Sequence, residues 1–260
     1  MTVTYASYLK LHELLSLQHP AAEEPEHDEI LFIIVHQVYE LWFKEILHEL
    51  DYLDRLLADG DAPRAQHTLK RILTILKLMV AQLDVLETMT PTEFLTFRDR
   101  LESGSGFQSC QFRELELALG HKRREALDRY PESSDEWRRL EKRYVAPGLW
   151  DAFLSYLARR GYEIPAALLE RDFRQPTPAS PEVQGILVHI YRNDPANTEL
   201  CERLTDLDEG LQEWRYRHVK MVERTIGTKR GTGGSAGAEY LRTTLFKPLF
   251  PDLWAIRTEL

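Results

Sequence analysis

The sequence predicts an all-α fold, and three observations carry that expectation. Apolar residues recur at intervals of three and four along most of the 260 residues. From 28 to 57 neither glycine nor proline interrupts the pattern. No pair of alternating runs is joined by Asn-Gly or Asp-Gly, so the hairpin signature is missing.

Taken in order, the first long helix is expected over 28–57. Ile30, Ile34, Val38 and Leu41, then Phe43, Leu47 and Leu50, give it an apolar stripe. A second helix is expected over 67–89, with Leu69, Ile72, Leu73, Leu76, Leu83 and Leu86. Thr90-Pro91-Thr92-Glu93 reads as an N-cap followed by proline at the first helical position. A helix over 91–101 follows and ends in the loop ESGSGF at 102–107. Further helices are expected at about 108–119, 121–129, 133–144, 147–159, 181–192 and 197–226. The stretch 161–180, with Pro165, Pro176 and Pro178, reads as a connection, because helices of the same character flank it. Long helices with short connections imply one bundle over 1–260 whose core has room for a cofactor.

Composition narrows the function classes. Hydrophobic residues make up 43% and charged residues 29%, as in a folded chain. The net charge of -9 argues against bulk nucleic-acid binding, which depends on neutralising phosphates. Cys110 and Cys201 are too few for a disulfide framework or a spaced zinc motif, and a reducing cytoplasm is the expected compartment. The N-terminus lacks a basic region followed by an apolar run, and ILFIIV at 30–35 is too short to span a bilayer.

Of nine histidines, seven have charged or polar neighbours and read as solvated surface. His36 and His218 sit on apolar helix faces. Phe32, His36 and Phe43 share one face, with Tyr39 close by. His218 shares its face with Leu211, Trp214, Met221 and Thr225. Spacing alone fits either buried structural histidines or functional ones, and an imidazole on an apolar face beside an aromatic is what an axial haem ligand needs. Glu45 and His48 form half of a di-iron E-x-x-H signature, but the only second pair, Glu24 with His27, contains Pro25. The glycine-rich run GTKRGTGGSAG at 227–237 lacks the Lys-Ser/Thr ending of a phosphate loop, and no strand precedes it.

Four segments together resemble the tryptophan 2,3-dioxygenase family. They are YASYLKLHELLSLQ (5–18), HDEILFIIVHQVYELWFKEILHEL (27–50), TPTEFLTFRDRLESGSGFQSCQFRELE (90–116) and WRYRHVKMVERTIGTKRGTGGSAGAEYL (214–241). The C-terminal FPDLWAIRTEL (250–260) fits as well. The resemblance implies an all-helical protein enclosing haem b, ferrous in the active form and assembled as a homotetramer. It implies cleavage of the indole C2–C3 bond of L-tryptophan by O2, giving N-formyl-L-kynurenine. Residue by residue, His218 matches the axial haem ligand and His36 the histidine that meets the indole N–H. Phe32 matches the indole pocket, and Ile33, Ile34 and Val35 complete that stretch. Arg98 matches the arginine that grips the substrate carboxylate, and Thr232 the threonine at the polar end of the amino acid. Ser105 and Gly106 match a loop over the haem. Tyr5, Tyr8 and Leu9 match N-terminal residues that reach into a neighbouring subunit's pocket. Phe94 stands where some members carry tyrosine, which removes one hydrogen bond from the pocket. Two rival readings remain: a haem sensor or carrier, which needs no amino-acid grip of the kind Arg98 and Thr232 provide, and a plain helical scaffold.

Overall fold

In a computed structural model the chain forms α-helices and short 3-10 turns, with no strand among the described residues, which are 2–21, 26–102, 104, 106–231 and 237–260, the side chains of Phe107 and Tyr240 excepted. In chain order the helices are α1 (Tyr5–Leu9), α2 (Leu11–Leu14), α3 (His27–Asp59), α4 (Ala62–Leu86), α5 (Pro91–Arg98), α6 (Cys110–Ala118) and α7 (Asp135–Val145). They continue as α8 (Leu149–Arg159), α9 (Ala166–Leu169), α10 (Pro181–Asn193), α11 (Pro195–Ile226), α12 (Ala238–Arg242) and α13 (Pro251–Ala255).

Three long helices build the frame. On α3, Val35, Tyr39, Phe43, Ile46, Leu50, Leu53 and Leu57 are buried at intervals of three and four. On α4 the same spacing buries Ala65, Leu69, Ile72, Leu76, Met79, Leu83 and Leu86. Helix α11 packs most extensively against α4, and α4 against α3. Each fully buried leucine contributes roughly 1.5–3 kcal/mol of transfer free energy, so this three-helix seam carries the main driving force. One large apolar cluster runs from Val35 to Ile256, and a small satellite of Leu117, Ala126, Leu127 and Leu140 lies under α6 and α7.

Local chemistry sets the helix ends. Gly60, at φ 76, closes α3 in the left-handed conformation, and the Asp61 carboxylate caps α4 by accepting from Arg64 N–H. Thr90 and Glu93 form a reciprocal capping box on α5, with Pro91 at its first turn. Asp194 caps α11 ahead of Pro195, which separates α10 from α11.

The segment 121–129 departs from the helical expectation. It holds only a 3-10 turn at Arg124–Ala126. Gly120, at φ 103, ends α6. The Lys122 ammonium then donates to the carbonyls of Arg143 and Ala146, both at 2.7 Å, pinning the chain to the end of α7. No helix among the described residues is long and apolar enough to cross a membrane. Cys110 and Cys201 are free thiols.

Candidate active site

Helix α5 touches both α3 and α11 at one end of the frame. The space between them, closed by the start of α6, is a cavity of about 230 Å³. Phe32, His36, Tyr39, Glu40 and Phe43 face it from α3, and Trp214, His218, Met221, Val222 and Thr225 from α11. Both sets follow helical spacing, so each helix turns one continuous stripe toward the cavity.

His36 is held tightly. Its Nδ1 lies 2.7 Å from the Phe32 carbonyl, and the two rings are 4.1 Å apart. A carbonyl only accepts, so Nδ1 carries the proton and the neutral ring keeps an acceptor lone pair on Nε2. Burial lowers the His36 pKa, against the opposing pull of the Phe32 carbonyl and the Glu40 carboxylate. Glu40 is itself fixed by Gln111, whose amide donates to it at 2.8 Å.

His218 is neutral for the same reason. Burial pushes its pKa down to about 4, with His36 and Arg113 adding like-charge repulsion. It stays partly accessible because it lines the cavity. No described residue hydrogen-bonds its ring. The Trp214 indole lies against it, nearly parallel at 3°, with centroids 5.3 Å apart.

At the α5 end, Phe94 and Phe97 pack against each other at 5.4 Å, centroid to centroid, and against Phe32 at 5.8 and 5.6 Å. Arg98 follows in the last turn. One terminal nitrogen donates to the Arg230 carbonyl, while its buried Nε–H has no partner among the described residues. A planar cation with an unused donor at a cavity wall is suited to a carboxylate.

A charged corner completes the lining. Glu116 on α6 accepts from Arg113, from Arg123 at 2.7 Å and from Arg215 at 3.1 Å. These four side chains sum to +2. Arg113, Glu116 and Arg215 all line the cavity. The sequence reading missed this corner, although Leu211, Arg215, His218 and Val222 lie on one α11 stripe and an arginine there was the available signal.

Among the residues singled out in sequence, Phe32, His36, Phe94, Arg98, Gly106 and His218 share this cavity. Ile33, Ile34 and Val35 do not line it. Ile34 is exposed, and the backbone carbonyl of buried Val35 accepts from Gln82 at 2.9 Å. Tyr5, Tyr8 and Leu9 are exposed and away from it. Ser105 and Thr232 lie outside the described residues. His121, read in sequence as surface, needs correction: it is partly buried beside Arg215, Glu116 and Arg123, with its pKa pushed down to about 4 mainly by burial. Its charged sequence context, HKRR, hid that burial. Glu45 and His48 lie off the cavity, and among the described residues no cluster of three metal-ligating side chains occurs.

The fold and site define a protein, all-helical among the described residues, whose cavity carries a neutral histidine from each of two helices and an arginine at one wall. Comparison with known proteins makes this specific. The family model described as tryptophan 2,3-dioxygenase matches residues 1–159 and 150–260. Over 258 residues the chain is 61% identical to the tryptophan 2,3-dioxygenase of Herpetosiphon aurantiacus, covering 99% of this chain and 98% of the relative. It is 57% identical to the protein of that name from Anaeromyxobacter dehalogenans, over 98% of this chain and 95% of the relative. For the one from Caulobacter vibrioides the identity is 45%, over 99% and 98%. The chain belongs to the tryptophan 2,3-dioxygenase family.

Proposed function

We propose that this chain cleaves the indole C2–C3 bond of L-tryptophan with O2 to give N-formyl-L-kynurenine, the first step of tryptophan catabolism by the kynurenine route, using haem b ligated by His218. The observation that carries the proposal is the Arg98 guanidinium, with its unused buried donor, at the wall of a cavity that also presents two neutral imidazoles.

The lining fits the cofactor. A porphyrin is a flat apolar disc with two carboxylates on one edge. The cavity offers apolar and aromatic walls, a ring nitrogen at His218 without a described partner, and a cationic corner at Arg113 and Arg215. Metal ligation requires the neutral imidazole, and burial supplies it. When bound, haem supplies the iron centre at which O2 is activated.

This chain's own residues bind and orient. Arg98 grips the substrate carboxylate through two donors at once. Phe32 and Phe94 provide an aromatic wall for the indole, with Phe97 packed behind them. His36 accepts the indole N–H hydrogen bond at Nε2, because Nδ1 already donates to Phe32. Its role is orientation. An imidazole titrating near or below ~6.5 is a poor match for full removal of the far less acidic indole proton. Ile33, Ile34 and Val35 support this wall from behind through the α3 backbone, Gly106 lies on the loop flanking the haem, and Thr232 and Ser105 keep the roles the resemblance gives them.

The same reading makes the chain one catalytic unit within a homotetramer, with Tyr5, Tyr8 and Leu9 reaching a neighbouring subunit's cavity. In support, their side chains are 76%, 77% and 40% exposed, although large apolar groups usually find cover.

The test is the absorption spectrum of the reduced protein with and without L-tryptophan, followed by product analysis under O2. A haem spectrum that shifts with tryptophan, and formation of N-formyl-L-kynurenine, are expected. His218→Ala should not retain stable haem. A normal haem spectrum in that variant would overturn the ligand assignment.

A further inference from the structure

Among the described residues, the His218 ring has no hydrogen-bonding partner to fix its rotation. The torsion between Cβ and an aromatic ring is broad and roughly two-fold, so the side chain alone does not set the ring plane. Metal-ligating histidines ordinarily solve this by donating the second ring N–H to a carboxylate or carbonyl. Here no described residue plays that part. The ring is instead faced by Trp214, one helical turn earlier, parallel to it within 3°.

Trp214 is itself locked. Phe43 meets it edge-on at 88°, and Phe112 lies 5.1 Å away, centroid to centroid. Tyr39 approaches at 63° and 6.3 Å. The Tyr39 hydroxyl donates to the Met79 carbonyl on α4 at 2.7 Å, leaving its oxygen lone pair for a donor. The Trp214 Nε1–H is buried and has no hydrogen-bond partner among the described residues, and the indole beside Tyr39 offsets part of the rise that burial imposes on the phenol, which is pushed up to about 12. A strut of packed rings therefore runs from Tyr39 on α3, hydrogen-bonded to the α4 backbone, to Trp214 and His218 on α11. Tyr39 lies three residues after His36, so the strut also ties the two histidine-bearing helices together.

We infer that Trp214, braced by Tyr39, is a positioning residue that sets the plane of the His218 imidazole and so the geometry of its bond to the cofactor iron. The inference rests on the reading of His218 as the haem ligand. A stacked aromatic fixes orientation without the negative charge that a carboxylate partner would add, so the bound imidazole keeps neutral character.

The experiment uses reduced, haem-loaded wild type with Trp214→Leu, Trp214→Phe and Tyr39→Phe. It reads the iron–imidazole stretching band by resonance Raman and the rate of haem transfer to a scavenging apoglobin. Trp214→Leu, which removes the ring, should shift or broaden the band and speed haem loss about 10-fold or more. Trp214→Phe keeps an aromatic face and should recover most of both. Tyr39→Phe deletes only the hydroxyl and should move the band while the far-ultraviolet circular dichroism stays at wild type. A wild-type band in Trp214→Leu, or equal damage in the Leu and Phe variants, would overturn the inference by reducing Trp214 to a volume filler. If Trp214→Leu does not fold, Tyr39→Phe decides, and an unmoved band there refutes the strut. Retention of a normal haem spectrum by His218→Ala would defeat the ligand reading itself, a separate and recognisable result.

Discussion

At the scale of single residues, the proposed reaction divides the work on the substrate between two side chains, and each should leave a different kinetic mark. In that reading Arg98 would contact the part of tryptophan that does not react. Its loss removes charge-assisted hydrogen bonds of roughly 1.5–3 kcal/mol each. Arg98→Ala should therefore raise KM for tryptophan by about 10- to 100-fold, while indole analogues lacking the carboxylate change little. Steady-state assays on both substrates check this, and equal losses would contradict the carboxylate role. His36 would meet the indole N–H as an acceptor. His36→Ala should lower kcat without abolishing turnover, because orientation is weakened and no obligatory base is lost. Complete inactivity with haem and substrate binding intact would contradict the orienting role. In sequence, the apolar face of His36 fitted a structural or a functional histidine alike, and the roles proposed for His36 and Arg98 came only through the resemblance. Composition could not distinguish Arg98 from other charged residues, since its unused donor is a property of packing.

At the scale of elements, periodicity and end signals explain why most helices were legible. The stripe from Ile30 to Leu50 and the Thr90-Pro91 start are local features, and local features are what sequence reports. Segment 121–129 was misread because its conformation depends on Lys122 reaching carbonyls 21 and 24 residues away. The Glu116 corner was hidden for the same reason, as its partner Arg215 lies 99 residues along the chain. Helix α5 matters most among the short elements, for it carries Phe94, Phe97 and Arg98 on eight residues. So short a helix depends on its cap. Thr90→Ala removes the hydroxyl that accepts from Glu93 N–H and should cost about 1 kcal/mol. That corresponds to a Tm lowered by about 2–4 °C in a chain of this size, measurable by calorimetry. Because the cap lies eight residues from Arg98, KM for tryptophan should rise more than kcat falls; an unchanged KM would mean that packing alone positions α5.

At the scale of the whole molecule, burial of ionisable groups makes the haem-free protein acid-sensitive. His121 titrates at 6.5 when unfolded and near 4 when folded, because burial and the neighbouring Arg215 and Arg123 disfavour its cation. Between those values the unfolded chain binds more protons, so stability falls as pH drops from about 6.5 toward 4. At pH 5 this single group removes ~2 kcal/mol relative to neutral pH. Asp54 acts in the opposite sense. Burial and the nearby Asp51 raise it from 3.8 to about 6, so the folded state binds the extra proton and acid returns ~1 kcal/mol. His36 and His218, both lowered by burial, reinforce His121 and set the net direction. Urea midpoints of the haem-free protein should therefore decline from pH 7 to pH 5. His121→Gln has nothing to titrate at that position and should show a shallower decline. Asp54→Asn removes the opposing group and should steepen it. Parallel pH profiles for wild type and His121→Gln would mean that this imidazole is solvated in the folded state. The charged corner it sits beside, and with it the cationic wall assigned to the cofactor, would then be more open to water than the packing of α6 against α3 and α7 implies.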